Sequence, residues 1–269
     1  MGLPAHIQQI DRTVFSGCTS LRTATLAEGA EAIVAGWLSC NCVEEVTIPQ
    51  SVRVIETDAF RGWANLRKVV FHANSQLEKI GLRAFQDSGL EQFSAPANLR
   101  EIASDAFCRC KQLKQVALKE GLTHLTWECF RESGLETLAV PASVVEIAPF
   151  AFLDCVSLRH ISFAQSSNLE RIGFRAFQGA GLEDFTAPEN VRVIENGAFH
   201  RCSSLETVVL NEGLETLGAK DNAEYDTSMG VFEDTNVQSV TLPSTLKHIT
   251  KRAFRGCENL HQVSLPDEI

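Results

Sequence analysis

The residues able to do chemistry here are seven histidines, nine cysteines and a large surplus of carboxylates. Two tripeptides stand out, Cys108-Arg109-Cys110 and His200-Arg201-Cys202, because each offers two donors of the kind that zinc takes. The remaining histidines are scattered, and there is no Gly-x-Ser-x-Gly, no phosphate-cradling Gly-x-x-x-x-Gly-Lys, no His-Glu-x-x-His and no Cys-x-x-Cys. One acidic segment, 218–230, carries Asp221, Glu224 and Asp226 with the chain's only tyrosine, Tyr225. Its spacing does not match a calcium-binding loop, and no bidentate Glu follows at the required distance, so a solvated acidic loop is the expectation. Whether the two tripeptides can meet depends on the elements that carry them.

Those elements are copies of one unit. Phe15, Trp37, Phe60, Phe85, Phe107, Phe130, Phe152, Phe177, Phe199, Phe232 and Phe254 recur at steps of 22 to 25 residues, with one step of 33. Five or six residues after each aromatic comes a Leu or Val, then an apolar residue three on and another two after that, as in Leu113, Val116, Leu118. The last two have the two-residue period of a pleated strand. A fixed period in the twenties marks a leucine-rich-repeat solenoid, in which one unit cannot bury its own face and neighbours must stack. The two tripeptides occupy equivalent places four copies apart, about 19 Å along the axis at the spacing of strands. They cannot share an ion.

The pattern Leu-x-x-Val-x-Leu-(Pro) followed by Ile-x-x-x-Ala-Phe-x-x-Cys resembles the BspA-like leucine-rich repeats of bacterial and protist surface proteins, from about Ile10 to Pro266. The resemblance implies a curved, right-handed stack of about eleven repeats with a parallel β-sheet on its concave side. It implies binding of other macromolecules, often in adhesion or recognition at a cell surface. It brings no catalytic residue, metal ligand or cofactor site.

Composition narrows the partners. The net charge is -10 and no basic run occurs, which argues against nucleic acid and anionic membranes. No apolar stretch is long enough to span a membrane, and the start, Met1 to Ile7, lacks the form of a signal peptide. Repeats run on without a linker, so the expectation is a single domain over 1–269; the missing polar caps suggest a fragment of a longer array. Six cysteines (Cys18, Cys40, Cys110, Cys155, Cys202 and Cys257) stand three residues after the aromatic, where other copies carry Ser88, Ser133, Ala180 or Thr235. A place that accepts such residues wants a small side chain, so buried thiols rather than a disulfide framework are expected.

Finer rhythm lies inside the repeat. Short copies carry Gly89, Gly134, Gly181 or Asn236 before the strand, which suggests a turn at positive φ, and Pro96, Pro141, Pro188 or Pro243 after it, which ends pairing. Residues 78–122 and 170–214 are identical at 26 of 45 positions, so two pairs of repeats were copied as a block. The residue after each strand-initial Leu or Val alternates in sign from Arg22, Glu44 and Arg67 to Arg159 and Glu183, a ladder in which each cross-strand pair contributes about 0.2 to 1 kcal/mol. The outward strand column is small, from Thr25 to Ser264. A third column, three residues before the aromatic, is polar at both ends of the chain and holds Trp127, Pro149 and Phe174 on consecutive repeats, with Phe150 adjacent.

That run is the candidate exposed apolar patch, and the 218–230 insertion with Asp221, Tyr225 and Asp226 is the second candidate. The expected function is a non-enzymatic module that binds a protein partner. The alternative is a structural spacer that associates end to end. A carbohydrate site has little sequence support, since no stacked aromatics line the strand columns.

Overall fold

A computed structural model describes residues 2–3, 18–38, 42–218 and 228–265, and no helix occurs among them. The chain winds as a parallel β-solenoid of about ten turns. Each coil opens with the strand that its leucine pattern predicts. In the middle of the stack this strand is Thr137–Val140, where Thr137 and Ala139 face outward and Leu138 and Val140 are buried. It pairs in parallel with Gln115–Ala117 on one side and His160–Phe163 on the other, which brings Val116, Leu138 and Ile161 into register. The prolines do end this pairing: Thr137–Val140 stops just before Pro141, and Gln92–Ser94 two residues before Pro96.

A second strand, only two residues long, follows the first corner of each coil from Thr23–Leu26 to Ser239–Thr241. Glu146–Ile147 lies between His124–Leu125 and Arg171–Ile172. Its inward residue is buried, as at Ile55, Ile80, Ile147 and Ile172, in all of these strands but His248–Ile249, where Ile249 is exposed. Sequence periodicity identifies one strand per repeat, because a two-residue strand is too short to display alternation.

The third side is a run of tight turns centred on the aromatic. All six N–H groups from Asp105 to Cys110 are bonded: those of Ala106, Cys108 and Cys110 bond three residues back, and those of Asp105, Phe107 and Arg109 bond to carbonyls of Trp127, Cys129 and Arg131 in the next coil. This alternation requires left-handed backbone two residues before and two after the ring, with φ of 56° at Asp105 and 58° at Arg109. Glu128 and Glu132 repeat it, and Gly62 and Gly179 take the same place elsewhere. A side chain in that conformation costs roughly 1–2 kcal/mol, offset here by amides that would otherwise be buried without a partner.

The core is one column of rings. Phe60, Phe85, Phe107, Phe130, Phe152, Phe177, Phe199 and Phe232 are wholly buried. From Phe60 to Phe254, successive rings stack almost parallel with centroids 5.0 to 5.5 Å apart. Trp37 is the exception: it meets Phe60 edge-on at 82° and stacks instead on Trp63, which fills the small-residue column. In that column Cys110, Cys155 and Cys202 are buried, and each thiol donates at 3.0 Å to the carbonyl of Phe85, Phe130 or Phe177 one coil back. Burial pushes the Cys110 and Cys155 thiols up to about 12, so they are inert packing donors. Cys42, outside this column, is disulfide-bonded.

One expectation fails here. Gly89, Gly134 and Gly181 do not have positive φ. A Cβ added to them would lie 2.1 Å from the Ala64 carbonyl oxygen, 2.2 Å from that of Lys111 and 2.2 Å from that of Val156. Glycine is required because coils touch backbone to backbone at this corner.

Candidate interaction surface

The regular strand face is electrostatically closed on itself. Arg22 meets Glu44 at 3.0 Å, Lys114 meets Glu136 at 3.1 Å, and Arg67 and Arg159 approach Glu91 and Glu183 at 3.8 and 3.9 Å. Its outward column, including Ser94, Ala117, Ala139 and Thr186, is exposed and small, as expected. A second inter-coil device lies at the corner past the strand. The Glu120 carboxylate accepts the N–H groups of Ala142 and Ser143, and Ser143 donates to the Leu122 carbonyl. Glu212 accepts in the same way from Ser244, and Glu28 from Gln50 and Ser51. Those backbone donors lead in holding all three carboxyls below the usual range.

The turn side is different. Trp127 is 37% exposed, Pro149 and Phe150 are half-buried, and Phe174 is 4% exposed. The expected open run of three repeats is therefore corrected at Phe174, whose ring is covered by the Arg175 guanidinium at 4.8 Å. The aromatics do form a continuous ridge: Trp127 packs against Phe150 at 5.1 Å, and Phe150 meets Phe174 edge-on at 5.4 Å. Phe150 has φ of 59° and is the one apolar side chain among the described non-glycine residues with left-handed backbone. That conformation is a genuine outlier for a bulky residue, and such strain gathers at functional positions. Asp221, Tyr225 and Asp226 lie outside the described residues.

Beside the ridge is a feature that the sequence columns did not single out. Two residues before the aromatic, the column reads Asp58, Arg83, Asp105, Glu128. Asp58 accepts a two-point ion pair from Arg83 at 2.9 and 3.1 Å, and two residues after the aromatic Asp87 accepts one from Arg109 at 2.7 Å twice. Asp105 next to Glu128 breaks this alternation with two like charges. Burial, then Glu128, raises the Asp105 carboxyl above its usual range. Arg131 answers the second carboxylate, meeting Glu128 at 2.9 Å and Glu132 at 3.2 Å. The Trp127 indole donates to Glu128 at 3.3 Å, which ties the acidic pair to the ridge.

The Cys108 thiol joins this cluster, and donor atoms of Asp105, Cys108 and Glu128 all lie within 4.8 Å of one another. Burial raises the thiol to about 11, with Asp105 adding to the shift. The set mixes one soft, protonated donor with two hard ones, of which Glu128 is already engaged by Arg131. It defines a negatively charged spot and no metal geometry.

The coils and this surface together define a repeat scaffold, and comparison with known proteins places it. The profile of the BspA type leucine rich repeat region matches six copies across residues 1–114, 36–155, 127–221 and 226–269. The chain belongs to that family. Among solved structures it is similar to a leucine-rich repeat protein from Bacteroides ovatus, with a TM-score of 0.64 at 22% identity over 96% of this chain and 77% of that one. It is also similar to the pneumococcal vaccine antigen PcpA, with a TM-score of 0.53 at 23% identity over 91% and 68%. At such identities the likeness shows the fold alone. No curated protein matches the chain.

Proposed function

We propose that this chain is a non-enzymatic scaffold that binds a protein partner through the Trp127–Phe150 ridge and the acidic pair beside it. One observation carries the reading. On a stack whose strand-face charges pair between coils and whose ring column is buried, an exposed tryptophan, a strained phenylalanine and two adjacent carboxylates coincide on neighbouring coils. The partner this chemistry favours presents an apolar side chain with an arginine or lysine next to it, since cations sit well on aromatic faces edged by carboxylates. The insertion with Asp221, Tyr225 and Asp226 is the second contact we assign, on its acidity and its break in the repeat. Membership of the BspA-type repeat family is what favours a role at a cell surface.

The test is calorimetry with an identified partner. Replacing Trp127 and Phe150 with alanine should weaken binding by about tenfold or more in a chain that still melts cooperatively, and deleting 219–229 should weaken it further. Affinity that survives the double substitution sinks the surface assignment.

A further inference from the structure

The strand face is not uniform. Its third inward position holds Leu118, Val140, Leu210 and Leu242 in most coils, but Phe163 is followed by Ala187 and Phe71 by Ala95. Both Phe-to-Ala steps fall after the 25-residue spacings, Phe152 to Phe177 and Phe60 to Phe85, and both coincide with a break in the sheet. His160–Phe163 ends one sheet and Asp184–Thr186 begins the next; Lys68–Phe71 and Gln92–Ser94 do the same. At the first of these steps a large ring stands beside a methyl group where the strand ladder is interrupted, although the Glu183 N–H still bonds the Arg159 carbonyl at 3.1 Å. Clefts of about 420 and 390 Å³ lie on either side of Phe163, within the size range of ligand sites. They share Ser162, Phe163 and Ala164. Together they span the coils from Leu118 to Asn211, about 19 Å at the strand spacing.

The lining is mostly uncharged and polar, with Lys119, Glu120, Asp184 and Glu189 as its charged members. Ser162, Gln165 and Thr186 are exposed and their side chains make no hydrogen bond among the described residues. Asn190 spends its amide N–H on the Ser167 carbonyl at 2.7 Å, which leaves its oxygen to accept, as Asn98 does with Ser75 at 2.9 Å at the duplicated step. Two of the lining charges are engaged, Asp184 with His160 at 2.8 Å and Glu120 with the next coil's amides, while Lys119 in the first cleft and Glu189 in the second form no ion pair among the described residues. Phe163 is half-buried and meets Phe185 edge-on at 6.1 Å, so its other surface lies along the groove.

We infer that this groove is a binding site for a neutral, linear oligosaccharide running along the solenoid axis. The C–H face of a sugar ring packs on an aromatic ring, while its hydroxyls both donate and accept, which suits free hydroxyl and amide groups without net charge. An extended peptide fits less well. It would lie across the strands, where the backbone is already paired within and between coils, and it would find few unpaired charges. The inference is independent of the Trp127 ridge, which lies on the turn side.

The probes are neutral hexasaccharides of β-1,4-glucose, β-1,3-glucose and β-1,4-N-acetylglucosamine, titrated by calorimetry against the chain, with a neutral hexapeptide alongside. At least one sugar should bind with Kd below about 1 mM. Phe163→Ala should weaken it by about tenfold or more. Because that change also touches the core, Thr186→Lys serves as the second variant: it fills the groove from an exposed position and should abolish binding at an unchanged melting temperature. Thr25→Lys, in the same outward column but remote, should leave binding intact. Failure of all three sugars, binding that tolerates Thr186→Lys, or preferential binding of the hexapeptide overturns the assignment.

Discussion

Removing one ring from the middle of the column tests how the coils are held together. Phe130 is wholly buried, with Phe107 stacked at 5.4 Å and Phe152 at 5.5 Å. Phe130→Ala removes the transfer energy of the ring and leaves a cavity, together about 3–5 kcal/mol, and that loss includes two stacking contacts of about 0.5–1.5 kcal/mol each. Since folded chains are stable by only about 5–15 kcal/mol, this is a large fraction. In a solenoid it falls on a single boundary between neighbours. Urea unfolding should therefore show a lower midpoint and, in place of one transition, two, as the halves on either side of the defect separate. Phe130→Leu fills part of the volume but loses both stacking contacts, so it should cost about 1–3 kcal/mol, less than alanine, with one transition. A loss below about 1 kcal/mol for alanine would mean that the ring contacts water, and the stacked-column account would be wrong.

Three further outcomes follow from the same geometry. Gly134→Ala should cost more than Gly62→Ala: the first drives a Cβ to 2.2 Å from the Lys111 carbonyl oxygen, while the second meets nothing within 4 Å and bears only the left-handed strain of roughly 1–2 kcal/mol, a ranking that melting temperatures can check. Cys202→Ser should be mild, as serine already occupies the column at Ser88 and Ser133; Cys202→Val removes the donor to the Phe177 carbonyl and should cost about 1–3 kcal/mol in chemical unfolding. The carboxyls of Glu28, Glu120 and Glu212 are depressed in the folded chain, so their stabilisation is present above the ordinary Glu value and is lost as pH falls through the depressed one. Asp105 has the opposite sign, destabilising as pH rises through its raised value, so Asp105→Asn should raise the melting temperature at pH 7 while Glu120→Gln lowers it. If the acidic pair serves binding, the more stable Asp105→Asn chain should also bind its partner less well, a trade of stability against function.

Much of the fold was legible because packing in a stack writes itself into columns. The ring column, the buried small-residue column and the alternating charges each follow from one side chain repeating at one place on every coil. What could not be read involves the backbone between coils. Gly89 and Gly134 signal a constraint, but sequence does not tell positive φ from a close carbonyl, and the left-handed sites escape notice because they hold Asp, Arg and Glu as well as Gly. Phe174 escaped because its cover, Arg175, is its own neighbour and leaves no mark on the column. The like-charge step from Asp105 to Glu128 was visible in principle: it is where the column two before the aromatic stops alternating. The Phe163 groove needs a Phe-to-Ala step read together with a longer coil, two irregularities that mean little apart.

Quenching of tryptophan fluorescence tests the central claim most directly, because Trp37 and Trp63 are buried and Trp127 alone is open, beside two carboxylates. Caesium, a cationic quencher, should reach Trp127 more efficiently than iodide, with the difference shrinking in high salt and vanishing in Trp127→Phe. Equal quenching by both ions at low salt, stronger quenching by iodide, or a quenchable signal that survives Trp127→Phe would contradict an exposed, negatively edged aromatic ridge as the binding surface of this chain.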